Sequence, residues 1–427
     1  MFTKKTIEDV NVSKKTVLLR VDFNVPIKDG QITDAYRIKQ ALPTIKYLLE
    51  HKAKVILISH LGRPNGTVKS EFSLSPIAPV LARMLKTKVV FVKDCIGKPV
   101  ETALDEIEPG EVLLLENLRF HPEEEENSDS FAKQLAKPAD LFVQDGFGVV
   151  HRAHASTDAI TRHLPSVSGF LLKKEANTIT DVMANPKRPL MAIIGGAKIA
   201  DKLDLIKKFI EIADIVAIGG AMGNTFLSAQ GVFIGDSLVD GNDLPLAKDI
   251  IRLANEETKK RRFLFVLPRD VVVSEKIEPN ALTRIVDFST HVVADIENYP
   301  KRVPHGATTV KKHEKILDIG PFSGSFIAGI TQQVNTVVWN GTMGVTEIPS
   351  LIGPLGPFAH GTELIIDALL GQFGYRPYSL VGGGDTVGYI ENRGLVDQFN
   401  HVSTGGGASL ELMAGRKLPG IEALENK

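Results

Sequence analysis

The sequence predicts an α/β protein with two doubly wound, Rossmann-like parallel-sheet domains joined by a hinge. Apolar runs of strand length alternate with helical patterns along almost all of the 427 residues. Strands that are apolar at nearly every position are typical of parallel sheets covered by helices on both faces. About 10 to 12 such strands are many for one twisted sheet, so the pattern favours two sheets.

The first half combines strand-like runs with amphipathic helical stretches at 36–50 and 75–86. The apolar residues that share one face of the stretch 36–50 are Ile38, Leu42, Ile45 and Leu49. This spacing of three and four residues is that of a helix with one buried face. The predicted strands are 16–25, 54–60, 89–94, 111–120 and 140–147.

The second half repeats the alternation after a proline-rich boundary. Pro186 and Pro189 end the helical stretch 173–184 and begin a new strand, because proline cannot continue a helix and restricts the residue before it. The predicted strands are 191–195, 215–219, 263–267, 316–319, 336–339 and 379–381.

Composition and charge argue against several classes of protein. Hydrophobic residues make up 43% of the chain and charged residues 24%, as in an ordinary globular protein. The net charge of −1 gives no indication of a nucleic-acid or membrane-surface partner. We expect neither a signal peptide nor a membrane span, because no long uninterrupted apolar run is present. Cys95 is the only cysteine, which excludes an intrachain disulfide and suits a reducing cytoplasm.

Four glycine runs, each directly after an apolar strand pattern, indicate sites for an anionic ligand. They are residues 195–196, 219–220, 382–384 and 405–407. Glycine lets backbone N–H groups approach a phosphate closely, and a helix N-terminus adds partial positive charge. Lys198 and Asp385 stand just past two of the runs and supply a cation for phosphate and an acid for Mg²⁺. The alternative is that each run is only a tight strand-to-helix connection.

Basic side chains follow the predicted strands of the first half. Arg63, Arg119 and Arg152 each come at or just after a strand end, and Arg37 begins the following helix. Because ligands of open parallel sheets bind outside the carboxyl ends of the strands, we expect these arginines to converge on one small polyanion. The alternative is that each arginine pairs with a local carboxylate.

These observations together predict one domain for a small anionic substrate and one for a magnesium nucleotide. The chain contains no G-x-x-x-x-G-K-[ST] P-loop and no protein-kinase motif. It also lacks the G-x-G-x-x-G fingerprint, which weakens the alternative of a dinucleotide-dependent dehydrogenase.

Segments in both halves resemble the phosphoglycerate kinase family, in that family's order and over nearly the whole chain. The segments of the first half are RVDFNVP (20–26), SHLGRPNG (59–66), LENLRF (115–120) and HRAH (151–154). Those of the second half are GGAKIADK (195–202), WNG (339–341), GGGDT (382–386) and STGGGA (403–408).

The resemblance implies reversible phosphoryl transfer between 1,3-bisphosphoglycerate and ADP, giving 3-phosphoglycerate and ATP, in glycolysis and gluconeogenesis. It assigns triose-phosphate binding to Asp22, Asn24, Arg37, His60, Arg63, Arg119 and Arg152. It assigns the nucleotide to Gly196, Ala197, Lys198, Lys202, Gly219, Gly220, Leu317, Asn340, Gly344, Val345, Glu347, Gly383, Gly384, Asp385 and Thr386. It assigns Mg²⁺ to Asp385.

The resemblance also implies a cytoplasmic monomer that binds small molecules and neither nucleic acid nor membrane. The expected domains are residues 1–170 for the triose phosphate and residues 188–403 for the nucleotide. Residues 171–187 are expected to form an interdomain helix and hinge, and residues 404–427 to return to the first domain.

The chemistry restricts which groups the reaction needs. A carboxylate acceptor is already ionised at neutral pH, so no general base is required. Arg37 and Lys198 are the candidate catalytic residues, because negative charge spreads over the oxygens of the moving phosphoryl group. His60 is expected to bind the substrate carboxylate or to position Arg63, and Lys202 to share a helical face with Lys198. Hinge closure near 185–189 and 404–407 is expected to exclude water.

A few positions depart from the family pattern without removing a charged site residue. Thr342 stands where proline is usual, Gly146 where alanine is usual, and residues 221–224 read Ala-Met-Gly-Asn where Gly-Met-Ala-Phe is common. These departures leave the nucleotide preference and the turnover rate open. A non-catalytic sensor of nucleotides or anions and a kinase for another short phosphorylated acid also remain as alternatives.

Overall fold

The chain folds into two compact units in the computed structural model, which describes residues 2–288, 290–294, 300–304, 308–351, 353 and 355–427. The first unit comprises residues 1–181 and 404–427, and the second comprises residues 182–403. The first unit is therefore built from two separate parts of the sequence.

A six-stranded parallel sheet with the order β5-β6-β4-β1-β7-β8 forms the centre of the first unit. Its strands are β1 (Thr16–Arg20), β4 (Lys54–Ile58), β5 (Val89–Val92), β6 (Val112–Leu115), β7 (Leu141–Gln144) and β8 (Ser166–Ser168). A separate two-stranded hairpin is formed by β2 (Ile27–Lys28) and β3 (Gln31–Ile32). Alternate residues of β1 pack on opposite faces: Val17 and Leu19 belong to one buried cluster and Leu18 to another.

Helices cover both faces of this sheet, as the apolar strands require. They are α1 (Tyr36–Glu50), α2 (Ile77–Leu85), α3 (Lys98–Glu106), α4 (Asp129–Ala136) and α5 (Phe170–Ala184). The helix predicted at 36–50 is confirmed as α1, and it buries Ile38, Ile45 and Leu48. Helix α5 ends at Ala184, ahead of the two prolines of the boundary.

The second unit contains another six-stranded parallel sheet, with the order β11-β10-β9-β17-β18-β19. Its strands are β9 (Leu190–Ile194), β10 (Ile215–Ile218), β11 (Leu264–Val266), β17 (Thr336–Asn340), β18 (Tyr378–Gly382) and β19 (His401–Val402). The helices of this unit are α6 (Leu203–Ile212), α7 (Gly220–Ala229), α8 (Leu244–Lys260), α9 (Pro321–Thr331), α10 (His360–Leu369) and α11 (Gly384–Asn392). The prediction of two doubly wound parallel sheets is thereby confirmed.

One predicted strand lies outside the parallel sheets. The run 316–319 forms β16 (Lys315–Ile319), which pairs antiparallel with β12 (Asp270–Ser274) in a three-stranded sheet completed by β13 (Arg284–Asp287). An antiparallel hairpin of β14 (Thr290–Ala294) and β15 (Pro300–Pro304) follows β13 in the chain. Placing 316–319 in the parallel series was wrong, because an apolar run does not reveal the direction of its partner strand.

The C-terminal segment packs within the first unit through α12 (Gly407–Met413) and α13 (Pro419–Glu422). Lys5 N donates to Glu425 O at 2.8 Å, and the buried ammonium of Lys4 donates to Leu424 O at 2.9 Å. Within the described residues, no helix has both the length and the apolar character needed to cross a membrane.

We predict that Ile193→Ala destabilises the second unit by about 2–5 kcal/mol, because it leaves a cavity in the middle of β9. Ile193 is fully buried and is the register partner of Trp339, which is buried and is the only tryptophan of the chain. Urea unfolding followed by Trp339 fluorescence measures the effect. Leu282→Ala is the matched control, since Leu282 is 93% exposed. Equal unfolding midpoints for the two variants would contradict this packing.

Candidate active site

Residues beyond the carboxyl ends of neighbouring strands in the first unit line one cavity of about 300 Å³, here called the arginine cavity. It contains all seven predicted triose-phosphate residues, namely Asp22, Asn24, Arg37, His60, Arg63, Arg119 and Arg152. They meet because parallel strands end at the same edge of their sheet. The cavity is also lined by Gly62, Gly148, Val149, His151 and His154, which the sequence did not assign, and by residues 405–407, which it assigned to an anionic ligand but not to the triose phosphate. The HRAH segment and the last glycine run were the available signals for most of these.

The arginines of the cavity divide into paired and unpaired groups. Arg37 Nη1 donates to Asp22 Oδ2 at 2.7 Å, and Arg119 Nε lies 3.2 Å from Glu125 Oε1. For Arg37 and Arg119, the alternative that each arginine pairs with a local carboxylate is therefore correct. Arg63 and Arg152 are exposed, and the described part of the chain offers neither of them an ion pair. The cavity thus keeps an excess of positive charge on its solvent side.

A buried network supports the cavity from below. Arg20 is 1% exposed, and its Nε donates to Ser156 Oγ at 2.9 Å. Ser156 Oγ donates in turn to Glu124 Oε1 at 2.6 Å, and Ser156 N donates to Glu124 Oε2 at 3.0 Å. Burial raises the pKa of Glu124, while the charge of Arg20 opposes that shift. An arginine and a carboxylate held through one serine can be buried because their polar atoms are bonded.

The histidines of the cavity are held neutral. Burial, reinforced by Arg20 and Arg119, puts the pKa of His60 well below its usual range. Burial and the same arginines lower the pKa of His154 to about 4. His60 Nδ1 lies 3.3 Å from Arg20 Nη2, so its contact with an arginine is with Arg20 rather than with Arg63. Neither imidazole adds a positive charge at neutral pH.

The second unit contains a cavity of about 230 Å³, here called the glycine cleft, which is lined by residues following β9, β10 and β17 and by β16. The predicted nucleotide residues that line it are Gly196, Ala197, Gly220, Leu317, Gly344, Val345, Glu347 and Asp385. Its lining also includes Ala221, Asn224, Leu238, Pro268, Asp318, Thr342 and Met343, which the sequence did not assign. One wall is therefore apolar, and β16 contributes to it despite lying in the antiparallel sheet.

Several glycines of the cleft are required by packing between the turns themselves. Gly220 has φ +64°, and a Cβ there would lie 2.5 Å from Gly196 N and 2.8 Å from Thr342 O. A Cβ at Gly195 would lie 2.1 Å from Thr342 O. Gly219 does not line the cleft but packs on the sulfur of Met343. Part of the glycine signal in the sequence is therefore structural, because three turns meet backbone to backbone.

The polar end of the cleft lies around the ends of β17 and β18, where five further predicted residues are found: Lys202, Asn340, Gly383, Gly384 and Thr386. Lys202 Nζ donates to Gly195 O at 2.6 Å and to Asn340 O at 3.1 Å. Burial lowers the pKa of Lys202 to about 8, against the opposing charge of Asp385. Thr386 Oγ1 accepts from Gly341 N at 2.8 Å, and residues 383–384 lead into α11.

Lys198 and Lys202 do not share a helical face, contrary to expectation. Helix α6 begins only at Leu203, and residues 200–202 form a single 3₁₀ turn. Lys198 is exposed, with its Nζ 3.9 Å from Asp240 Oδ2, whereas Lys202 points back to the backbone of β9 and β17. The Gly-Gly-Ala turn is followed by irregular backbone, which the α-helical spacing could not show.

The polar end of the cleft suits a Mg²⁺ ion and phosphate oxygens. Asp385 stands exposed in the first turn of α11, and a carboxylate oxygen is a ligand that Mg²⁺ prefers. Asn340 is 1% exposed, yet both polar atoms of its side chain lack a hydrogen-bond partner. Buried amide groups normally have partners, so the unsatisfied amide fits a ligand at this end of the cleft.

A carboxyl group in the floor of the cleft was missed by sequence reasoning. Asp318 Oδ1 accepts from Ile319 N at 2.8 Å, and its Oδ2 accepts from Gly361 N at 2.9 Å. Burial raises its pKa to about 8 despite these bonds, and Asp270 adds to the rise. The side chain is therefore protonated at neutral pH.

Comparison with known proteins identifies one family over nearly the whole chain. The model of the phosphoglycerate kinase family matches residues 7–416. The phosphoglycerate kinase of Moorella thermoacetica is 46% identical over 424 residues, which cover 99% of this chain and 100% of the relative. The phosphoglycerate kinase of a Roseiflexus species is 46% identical over 425 residues, with 99% of each chain covered.

Solved structures agree with this result. The phosphoglycerate kinase structure from Coxiella burnetii has a TM-score of 0.78 at 35% identity, and that from Pyrococcus horikoshii has a TM-score of 0.80 at 30% identity. Each match covers 98% of both chains.

We predict that Asp318→Asn gains stability relative to the parent as the pH rises from about 4 to about 8. The folded carboxyl ionises only near pH 8, but the unfolded one ionises near 3.8, so in this window the folded state holds an additional proton. The parent should lose up to about 1.4 kcal/mol of unfolding free energy per pH unit there, and a non-titrating amide removes that loss.

Urea unfolding of the parent and Asp318→Asn at the two ends of this pH window measures the difference. Asp397→Asn, at an exposed position of the same unit, is the control and should follow the parent. A stability difference between Asp318→Asn and the parent that does not change with pH would show that this carboxyl is ionised throughout.

Proposed function

This chain belongs to the phosphoglycerate kinase family, and we propose that its arginine cavity and its glycine cleft bind the two substrates of that reaction. The chain is a kinase that transfers a phosphoryl group reversibly between 1,3-bisphosphoglycerate and ADP, giving 3-phosphoglycerate and ATP, as a step of glycolysis. The nucleotide is used with Mg²⁺.

The convergence of Arg37, Arg63, Arg119 and Arg152 on one cavity is the observation that carries the proposal for the triose phosphate. A phosphorylated acid carries a phosphate and a carboxylate, and both groups match the planar fork of a guanidinium. The neutral histidines and the polar side chains of Asp22 and Asn24 complete the cavity, where they can accept from or donate to substrate oxygens.

The glycine cleft suits a nucleotide because its two ends differ in character. The apolar wall around Leu317 and Val345 can pack against a base, and the exposed carboxylate of Glu347 can accept hydrogen bonds from ribose hydroxyls. At the other end, Lys202, Asn340 and the start of α11 provide donors for phosphate oxygens. Asp385 would hold the Mg²⁺ ion, which when bound neutralises phosphate charge.

The mechanism needs charge stabilisation rather than proton transfer. The acceptor carboxylate of 3-phosphoglycerate is ionised, and His60 and His154 are neutral at working pH, so no side chain has to remove a proton. We assign to Arg37 and Lys198 the role of stabilising the negative charge on the oxygens of the transferring phosphoryl group. In-line transfer requires the two ligands to meet with water excluded, because water is a competing acceptor. Closure at the hinge segments supplies this step.

The family and the composition also bear on the ligands, the location and the oligomeric state of the chain. The chain binds small-molecule substrates. Its near-zero net charge gives no indication of a nucleic-acid or membrane-surface partner, and its single, buried Cys95 suits a reducing cytoplasm. That the chain is a monomer is proposed from the family resemblance alone.

We predict that Arg37→Ala and Lys198→Ala each lower kcat about a hundredfold or more, because each removes a charge that stabilises the transition state. The assay is turnover of 3-phosphoglycerate with Mg-ATP, coupled to an NADH-consuming dehydrogenase. Two matched controls, Arg162→Ala and Lys208→Ala, remove solvent-accessible residues that lie in surface ion pairs, and should keep parental rates.

The outcomes separate the alternatives. A parent chain that binds Mg-ATP but does not turn over 3-phosphoglycerate would favour a sensor or a kinase for a different phosphorylated acid. An active parent whose rate survives Arg37→Ala and Lys198→Ala would refute the roles assigned to these two residues.

We also predict that Asp385→Asn raises the Mg²⁺ concentration needed for half-maximal activity by about tenfold or more. An amide oxygen can still bind the ion, but it lacks the negative charge of the carboxylate. A Mg²⁺ titration at fixed ATP measures the change, and Asp397→Asn is the control. An unchanged Mg²⁺ requirement would place the ion on other ligands.

A further inference from the structure

We propose that Asp94, Cys95 and His121 form a binding site for a thiophilic divalent cation of the Zn²⁺ class. A carboxylate oxygen, the Cys95 sulfur and an imidazole nitrogen lie within 4.8 Å of one another. These are the oxygen, sulfur and nitrogen ligands that Zn²⁺ takes in proteins. The site is separate from the phosphoryl-transfer reaction and does not depend on the substrate assignments.

The fold brings the three residues together at one edge of the first sheet. Asp94 and Cys95 follow β5, and His121 follows β6 after a short 3₁₀ turn. The two strands are parallel neighbours, with Val92 beside Leu115, so the loops that follow them leave on the same side. Strand β5 is the outermost strand of the sheet, and its following loop contributes no residue to the arginine cavity.

The distances approach those of a tetrahedral site. His121 Nε2 lies 3.0 Å from Asp94 Oδ1, and Zn–ligand bond lengths require about 3.3 Å between such atoms and about 3.6 Å from each to a thiolate sulfur. Cys95 is fixed by burial at 2% exposure, whereas Asp94 and His121 are 41% and 28% exposed at their side chains. Small side-chain shifts of the partly exposed Asp94 and His121 would bring both ligand atoms to bonding distance, and water can take the fourth position.

The donor set of the site selects among cations. On binding, the thiol proton would be released to solvent, so that a thiolate, a carboxylate oxygen and an imidazole nitrogen would face one ion. Mg²⁺ is not selected here, because it prefers an all-oxygen octahedral shell to sulfur and nitrogen ligands.

Phe131 and Asp94 hold the histidine in place. The His121 ring stacks on Phe131 with 5.1 Å between ring centroids, and its Nε2 already faces the carboxylate. A second histidine–carboxylate pair in the same unit, His163 Nε2 at 3.1 Å from Asp129 Oδ1, lacks a cysteine and serves as an internal comparison.

The test is a Co²⁺ titration of the full chain without nucleotide, followed by the near-ultraviolet charge-transfer band of a Co²⁺–thiolate bond. We expect the band to saturate at one equivalent, to disappear when Zn²⁺ is added and to persist in excess Mg²⁺. Because Cys95 is the only cysteine, a band in the parent chain already identifies the ligand. We expect Cys95→Ala to abolish the band and His121→Gln to weaken Co²⁺ binding about tenfold or more.

The matched control is His163→Gln, which should titrate like the parent. Circular dichroism and turnover of each variant verify folding. Co²⁺ binding without a thiolate band in the parent, or equal weakening by His121→Gln and His163→Gln, would overturn the site. A second readout is thermal unfolding: Zn²⁺ should raise the Tm of the parent and not that of a folded His121→Gln variant.

Discussion

The guanidinium groups around the arginine cavity repel one another, and much of the polar structure of the first unit balances that repulsion. Asp22 and Glu125 pair with Arg37 and Arg119 at 2.7 and 3.2 Å. Underneath, Glu124 compensates Arg20 through Ser156. Burial, reinforced by Arg20 and Arg119, lowers the pKa of His60 and His154 and keeps both imidazoles neutral. Among the described residues, Arg63 and Arg152 on the solvent side of the cavity have no ion-pair partner, so a small polyanion can supply the negative charge that pairs with them.

The glycine cleft is built from backbone turns and apolar side chains rather than from arginines. Its turns meet backbone to backbone: Gly196 N donates to Thr342 O, and Lys202 Nζ donates to Gly195 O. An apolar wall around Leu317 and Val345 lines the same cleft. Asp318 lies in the floor of the cleft, where burial, with a contribution from Asp270, raises the pKa of its carboxyl to about 8. The arginine cavity therefore presents mainly cationic side chains, whereas the glycine cleft combines close-packed backbone turns, one ammonium group and an apolar wall.

The sequence predicted what depends on local pattern and missed what depends on long-range packing. The spacing of apolar residues predicted α1, and the number of apolar strands predicted two sheets. The positions of the arginines at strand ends predicted that they share one cavity, because the carboxyl ends of parallel strands lie at one edge of the sheet. Three features that the sequence missed have partners distant in sequence. Strand β16 pairs with β12, the backbone at the 3₁₀ turn before α6 donates from Ile199 N to Asp243, and the Asp318 carboxyl accepts from Gly361 N. The spacing of apolar and charged residues carries no signal for these.

The most direct test of the two-site account is a crystal structure of the chain with 3-phosphoglycerate and Mg-ADP. The account predicts the triose phosphate in the arginine cavity with its oxygens on Arg63, Arg119 and Arg152. It also predicts the nucleotide in the glycine cleft with Mg²⁺ on Asp385. Triose-phosphate density outside the arginine cavity, or a nucleotide bound away from the turns that follow β9 and β17, would contradict it.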